Sequence, residues 1–525
     1  MVFRRVVLFL FALLGLLYAL VLTNDGIEQK LVLAEYWVPK RSQMPFLSSE
    51  QQHPDLKLDN SQLEQLAQVD ALAEQMQEEA NETSKNASTL PNIMPPAINI
   101  PEANKNEPKS PAQGQKSTTG SAARDTVRRE RPIQRLTFER EGYEQLQRFY
   151  EHCRAIETTG EEVRIFHYGD SQIEGDRISS YLRTRLQKEF GGAGVGLVSA
   201  IPPTYPPFGL TVSASRSWKF YSMMPAHRRK KELHYGVMGS VAQFATDGTA
   251  PDSTRVDAEI RIRRDPKAGR GMRFAYCNVL FAAHEVPCTM RVVVGDSVYF
   301  SRTYSESSSL QRAALPVPAD ASKFSLQWAA ASTPDIYGIS YETASGIQVD
   351  NMPLRGSGGT DFNAISDTMF REVAQVLAPR LILLEFGVNV VPSRLSSYGA
   401  YGRQLQQHIE RLKQLLPTAA FILIGVSDMG FKEEENFCSY PNLTLVRNAQ
   451  RKAALDAGIA FWDTYEAMGG ANSVLRWRNT QPPLVTTDYV HFTPRGARYI
   501  AELFYTALMD VYANPQEYEQ EFTIE

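Results

Sequence analysis

The stretch Phe166-His167-Tyr168-Gly169-Asp170-Ser171-Gln172 decides how this chain is read. An apolar run over residues 163–168 has the density of a buried strand. It ends at a glycine and delivers a serine just ahead of a helical stripe, Ile178, Leu182 and Leu186. An Asp-Ser pair in front of a helix is by itself an ordinary cap. The far end of the chain changes that reading. Asp488-Tyr489-Val490-His491 places an acid and a base three residues apart with a helical pattern behind them, and among the eight histidines only His491 has this setting. A serine, a histidine and an aspartate are what an activated nucleophile, its general base and the orienting carboxylate require.

Outward from the serine, strands and helices alternate. Strand-like runs cover residues 346–352, 381–386, 421–426 and 459–462. Helical periodicity covers residues 362–377, 401–416, 443–457 and 494–511. The alternation implies a parallel sheet covered on both faces, with functional loops at the carboxyl ends of its strands. Between about 211 and 342 the helical period vanishes. Short β-rich segments at 258–262, 272–283, 290–294 and 324–329 suit a β-sandwich inserted into a loop of the α/β part. The expected organisation is therefore an α/β domain over 132–210 and 343–515, split by a module over 211–342.

The N-terminal quarter reads differently. Arg4 and Arg5 precede an apolar run over residues 6–22, about the minimum length for a membrane-spanning helix. An uncleaved signal anchor over 1–23 is the preferred reading, with a cleaved signal peptide as the alternative. Residues 24–131, rich in Asn, Ser, Thr, Pro and Gln, read as a disordered tether with one short helix near 61–79. A net charge of −4 argues against a nucleic-acid partner. The Gly191–Gly194 run closes a helix instead of opening one after a strand, so it is no dinucleotide fingerprint. His284-Glu285 lacks the second histidine of a zinc helix, since Cys288 stands there. No cofactor and no metal are expected. Of the four cysteines, Cys277 and Cys288 are spaced to face each other across a hairpin; buried free thiols are the preferred alternative.

Four blocks thus fall at strand ends: Gly169-Asp170-Ser171, Asn351 through Gly359, Glu385-Phe386-Gly387-Val388-Asn389, and Asp488 through Phe492. This order resembles the SGNH (GDSL) hydrolases, and the inserted β-module resembles the arrangement of peptidoglycan O-acetylesterases. The resemblance implies a three-layer α/β/α, flavodoxin-like sheet with a jelly-roll-like, carbohydrate-binding-like insert. It implies Ser171 as nucleophile, His491 as base and Asp488 as its orienting acid. The backbone N–H groups of Ser171 and Gly356 and the amide of Asn389 would form the oxyanion hole, with Gly358 and the distant Gly239 as alternatives for the glycine. Asp170, Arg355 and Gly358 are candidate substrate contacts, with Arg355 holding a carboxylate or a backbone carbonyl as its preferred alternative; Trp462 and Trp477 are candidate cleft walls, with a core position preferred. Asp428 is read either as shaping the cleft or as a turn residue. Gln172, where the family name has leucine, carries no assigned role. The implied activity is removal of O-acetyl groups from a cell-envelope glycan in the bacterial periplasm. A polysaccharide O-acetyltransferase with the same triad and a non-catalytic glycan-binding protein are the alternatives.

Overall fold

The computed structural model describes residues 133–524, apart from 202–206, 208, 225–228, 230–233, 249–254, 284 and 363–364. The expected anchor over 1–23 and the tether with its short helix lie outside the described residues. Among the described residues no helix is long and apolar enough to cross a membrane.

A five-stranded parallel sheet forms the centre, in the spatial order Gly346–Pro353, Glu162–Gly169, Leu381–Glu385, Ala420–Ile424, Ala460–Trp462. Numbered along the chain, that order is 2-1-3-4-5, so the chain reverses its direction of travel across the sheet at the strand before Ser171. Such a switch point opens a crevice at the strand ends. Strand side chains alternate between two cores. Val163, Ile165, Ile347, Val349, Leu381 and Leu383 face one; Phe166, Tyr168, Met352, Ile382 and Leu384 face the other.

Helices cover both faces because their apolar residues recur at helical spacing. In Arg140–Thr159, Leu146, Phe149, Tyr150 and Cys153 form the buried stripe, and Gly160 ends it in a left-handed cap. That helix packs on the first core with Ser179–Phe190 and Pro494–Ala513; Asp367–Val376, Gly399–Leu415 and Leu443–Asp456 pack on the second. Asp367–Val376 starts five residues later than the periodicity suggests. Ser366 decides the start by accepting from the N–H of Met369 at 3.1 Å.

Two further antiparallel sheets, of six and five strands, occupy the interval between Phe190 and Gly346. They share a third core: Ile260, Met290, Leu326 and Trp328 come from one, Val279, Phe281, Ile339 and Tyr341 from the other. Their pairing begins upstream of residue 211, because Gly196–Val198 joins Asp335–Glu342. Cys277 and Cys288 lie on different sheets. Cys277 sits between Leu315 and Tyr341, and Cys288 between Tyr304 and Ala330. The hairpin pairing is therefore absent; both are free thiols, and burial pushes Cys288 up to about 12.

A buried charge network joins the parallel sheet to its antiparallel neighbour. Arg164, wholly buried, donates to both oxygens of Asp350, at 3.0 and 2.8 Å, and pairs with Glu162 and Glu342. Asp350 also accepts from the N–H of Leu197 at 2.7 Å, and Glu342 pairs with Arg312. Burial works against ionisation at both carboxyls. At Glu342 two arginines outweigh it and hold the group down at about 2, whereas at Asp350 burial wins and the group is raised. Removing one partner of a buried cluster strands its counter-charges, at a cost of about 3–5 kcal/mol. Arg164→Met should lower unfolding stability by roughly that amount in urea titrations. A loss under about 1 kcal/mol, the range of a surface pair, would show that the network does not hold the sheets together.

Candidate active site

The serine turn is set by its two flanking strands. The N–H of Leu354 donates to Gly169 O at 2.7 Å and the N–H of Asp170 to Glu385 O at 3.1 Å, so the ladder continues into the loops. Gly169 is needed for that closeness: a Cβ there would lie 2.9 Å from Glu385 O. Three loops thus leave the sheet side by side, carrying Ser171, Gly356 and Asn389.

The histidine comes from the loop before Pro494–Ala513. Thr493 caps that helix by accepting from the N–H of Gly496 at 3.2 Å, with Pro494 at its first turn. Upstream, the Thr486 N–H donates to His491 O at 2.8 Å, which closes the loop. Tyr489 adopts φ 56°, a left-handed conformation unusual for an aromatic residue. Its carbonyl accepts from Gly430 N–H at 2.8 Å and its ring stacks on Phe437 at 3.9 Å. The loop so held presents Asp488 and His491 together.

Ser171 Oγ lies 2.8 Å from His491 Nε2, and His491 Nδ1 lies 2.6 Å from Asp488 Oδ2. With its proton on Nδ1, donated to the carboxylate, the imidazole leaves Nε2 as acceptor for the serine hydroxyl. Partial burial alone would raise the Asp488 carboxyl. Hydrogen bonds from His491, from Thr486 Oγ1 at 2.5 Å and from the backbone N–H groups of His491 and Val490 outweigh it and hold the group well below the usual carboxylate range. The folded surroundings of Asp488 therefore favour its carboxylate.

The glycine candidates separate on where their N–H groups go. Gly239 donates to Gly236 O at 2.8 Å, and Gly358 donates to Asp361 at 3.3 Å while its carbonyl accepts from Tyr401. Gly356 is exposed, and its N–H has no such partner among the described residues. Glycine is required there by φ 87°, not by crowding, since an added Cβ would meet only Met224 Cε at 3.8 Å. Asn389 donates one amide hydrogen to Ser357 O at 3.0 Å, tying the two loops together and leaving its second hydrogen available.

No family model matches the sequence, and no curated protein matches it. The fold does have a solved counterpart. A structure described as a peptidoglycan O-acetylesterase superposes with a TM-score of 0.57 at 21% identity, over 72% of this chain and 98% of its own. The chain has the SGNH hydrolase fold. An acetyl xylan esterase (TM-score 0.24, 20% identity, 31% of this chain and 81% of its own) also matches. So does a family two carbohydrate esterase from Clostridium thermocellum (TM-score 0.25, 9% identity, 54% of this chain and 99% of its own). Scores this low leave the fold assignment to the first.

Several residues expected to contact substrate are buried or engaged elsewhere. Trp462 and Trp477 are buried in the first core, their indole N–H groups donating to Gln134 O and Met468 O. Asp428 is buried and accepts from Ser439, Ser473 and the N–H of Val474, so it holds loops together. Gly358 spends its N–H on Asp361 in its own loop and its carbonyl on Tyr401 of the helix Gly399–Leu415. Arg355 remains exposed beside Gly356, 3.4 Å from Glu174. Two residues without an assigned role prove to touch the site. Gln172 reaches the histidine loop, and Arg177 donates to the carbonyls of Ser171, Glu174 and, at 3.5 Å, Phe492. Only the departure from leucine at 172 marked either of them in the sequence.

Asp170 is also withdrawn from substrate. It is 1% exposed, and its Oδ1 accepts from the N–H of Gln172 at 2.9 Å. Burial pushes its carboxyl up to about 7, against the Gln172 N–H and with help from Glu385. An unfolded aspartate releases its proton near pH 4. The folded chain thus holds an extra proton between about pH 4 and about pH 7, so this contribution is complete below that window and is lost as pH rises through it. In Asp170→Asn the acceptor stays and there is no proton to lose. The variant-minus-wild-type difference in urea midpoint should rise across the window, and a flat difference would refute a neutral Asp170.

Proposed function

We propose that this protein is a serine esterase that removes O-acetyl groups from a cell-envelope glycan. The observation that carries the reading is the unbroken chain from Ser171 Oγ through the His491 ring to Asp488, at 2.8 and 2.6 Å. Ser171 Oγ attacks the acetyl carbonyl as His491 Nε2 takes its proton. The carbonyl electron pair moves onto oxygen, where the N–H groups of Ser171 and Gly356 and the free amide hydrogen of Asn389 receive it. Collapse breaks the bond to the sugar oxygen, which leaves with the proton from His491. Water then repeats the sequence on the acetyl-serine and releases acetate. Asp488, already ionised, stabilises the imidazolium in both halves.

Acetylated peptidoglycan is the substrate class suggested by the solved counterpart with the same fold. Arg355, exposed next to Gly356, is placed to contact the glycan beside the ester. The apolar run over residues 6–22 behind Arg4 and Arg5 supports an envelope location. Hydrolysis is favoured over transfer to a second sugar by the openness of the site: the side chains of His491 and Asp488 are 29% and 49% exposed, so water reaches the base directly.

Incubation with O-acetylated peptidoglycan should release acetate. Ser171→Ala should abolish release while circular dichroism stays that of the parent, and activity surviving that change overturns the mechanism. Asn389→Ala removes one oxyanion donor and should lower kcat by about 10²–10³-fold with KM little changed. An equal rise in KM with kcat intact would assign Asn389 to substrate binding instead.

A further inference from the structure

Gln172 is 3% exposed and every polar atom of its side chain is engaged. Its Nε2 donates to Val490 O at 2.7 Å and to Ser427 Oγ at 3.3 Å, and its Oε1 accepts from the N–H of Phe492 at 3.4 Å. Val490 and Phe492 are the two chain neighbours of His491. One primary amide therefore grips the backbone on both sides of the base, and its own backbone is bonded to that of Ser171.

We infer that Gln172 is a positioning residue that sets His491 against Ser171. This rests on the proposed roles of those two residues. The demand on the side chain is specific. Val490 offers an acceptor and Phe492 a donor, so the clamp needs one donor and one acceptor on a planar fork at the reach of two methylenes. Glutamine meets this; leucine offers neither group; ionised glutamate can serve Phe492 but sets a negative oxygen against Val490 O. Two other supports fix the loop from elsewhere. The Val485–Phe492 bridge and Thr493 act downstream, while Gly430 and Phe437 hold Tyr489 from the other side. Neither touches the serine turn. Arg177 also joins the two loops, from Ser171 O to Phe492 O at 3.5 Å, but Gln172 holds the backbone on both sides of His491, so an error in one loop is carried to the other instead of opening the 2.8 Å contact. Misplacement of a reacting group by about 1 Å is enough to cost about 10²-fold in rate.

The test is steady-state turnover of 4-nitrophenyl acetate and of O-acetylated peptidoglycan, counted per site titrated with a serine-reactive phosphonate so that misfolded protein drops out. Gln172→Leu should lower kcat about 10²-fold with KM within about twofold. Gln172→Glu supplies a signature that a purely structural role would not move. A buried glutamate keeps its proton to higher pH than a free one, and its protonated form offers the same donor and acceptor as the amide. The ratio of Gln172→Glu to wild-type kcat should therefore climb as pH falls from about 8 to about 5, while the Gln172→Leu ratio stays level. Wild-type kcat per titrated site in Gln172→Leu, or a Gln172→Glu ratio that stays level at the Gln172→Leu value from about pH 8 to about pH 5, overturns the positioning role. Turnover persisting in Ser171→Ala would instead overturn the assignment of the nucleophile, so the two failures are read separately.

Discussion

The ladder on either side of the strand Glu162–Gly169 is the constraint on which the site depends. This strand is first in the chain but second in the sheet, so neighbours added later in sequence bond to both of its edges. The bonds from Leu354 to Gly169 and from Asp170 to Glu385 carry the sheet one step beyond its last regular residues. Loops normally gain freedom as they leave a sheet. Here three of them depart from a shared, hydrogen-bonded line, and the groups that would receive a developing oxyanion start from positions that need no ordering at the moment of reaction. A bulkier residue than glycine at 169 would press on Glu385 O and spread that line apart.

The opposite end of the same strand bears a different load. Arg164 lies five residues before Gly169 and is surrounded by carboxylates from the strands Gly346–Pro353 and Asp335–Glu342. Burying this many charges is expensive, and their mutual attraction offsets the expense only while the set is complete. The consequence is a junction with a single geometry: Asp350 must be met by both Arg164 and the N–H of Leu197, so the antiparallel strands can join the parallel sheet in one register. An apolar junction of the same area would tolerate sliding. The strand that leads into Ser171 is thereby held at its base by charge and at its tip by backbone hydrogen bonds.

Two aspartates near the serine have opposite surroundings. Asp488 is half exposed and accepts four hydrogen bonds, which keep it ionised. Asp170 is enclosed, near another acid, and holds its proton up to about 7. Environment splits otherwise identical side chains into one that favours the carboxylate beside the imidazole and one at the turn that keeps its proton further up the pH scale.

The parallel order of strands and helices, the serine turn and the Asp-x-x-His loop are legible in the chain itself, because each is written in residues close in sequence: apolar density for the strands ending at 169 and 385, a stripe at helical spacing through Ile178, Leu182 and Leu186, an acid and a base three apart. The helix begins at Asp367, five residues into the periodic stretch 362–377, since apolar spacing does not report where Ser366 turns back to cap it. For tryptophans 462 and 477 the sequence offers cleft or core, with the core preferred, and both are in the core; proximity to a strand end does not say which face a side chain occupies. The choice of Gly356 over Gly239 and Gly358 needed the destination of each N–H group, and the grip of Gln172 on Val490 and Phe492 needed two loops some 320 residues apart to be in contact. Local patterning determined which chemical groups were present and on what kind of element; which of them meet, and which carboxyl keeps its proton, was decided only when distant segments packed, since hydrogen-bond partners and burial are properties of the assembled interior and not of any stretch of chain.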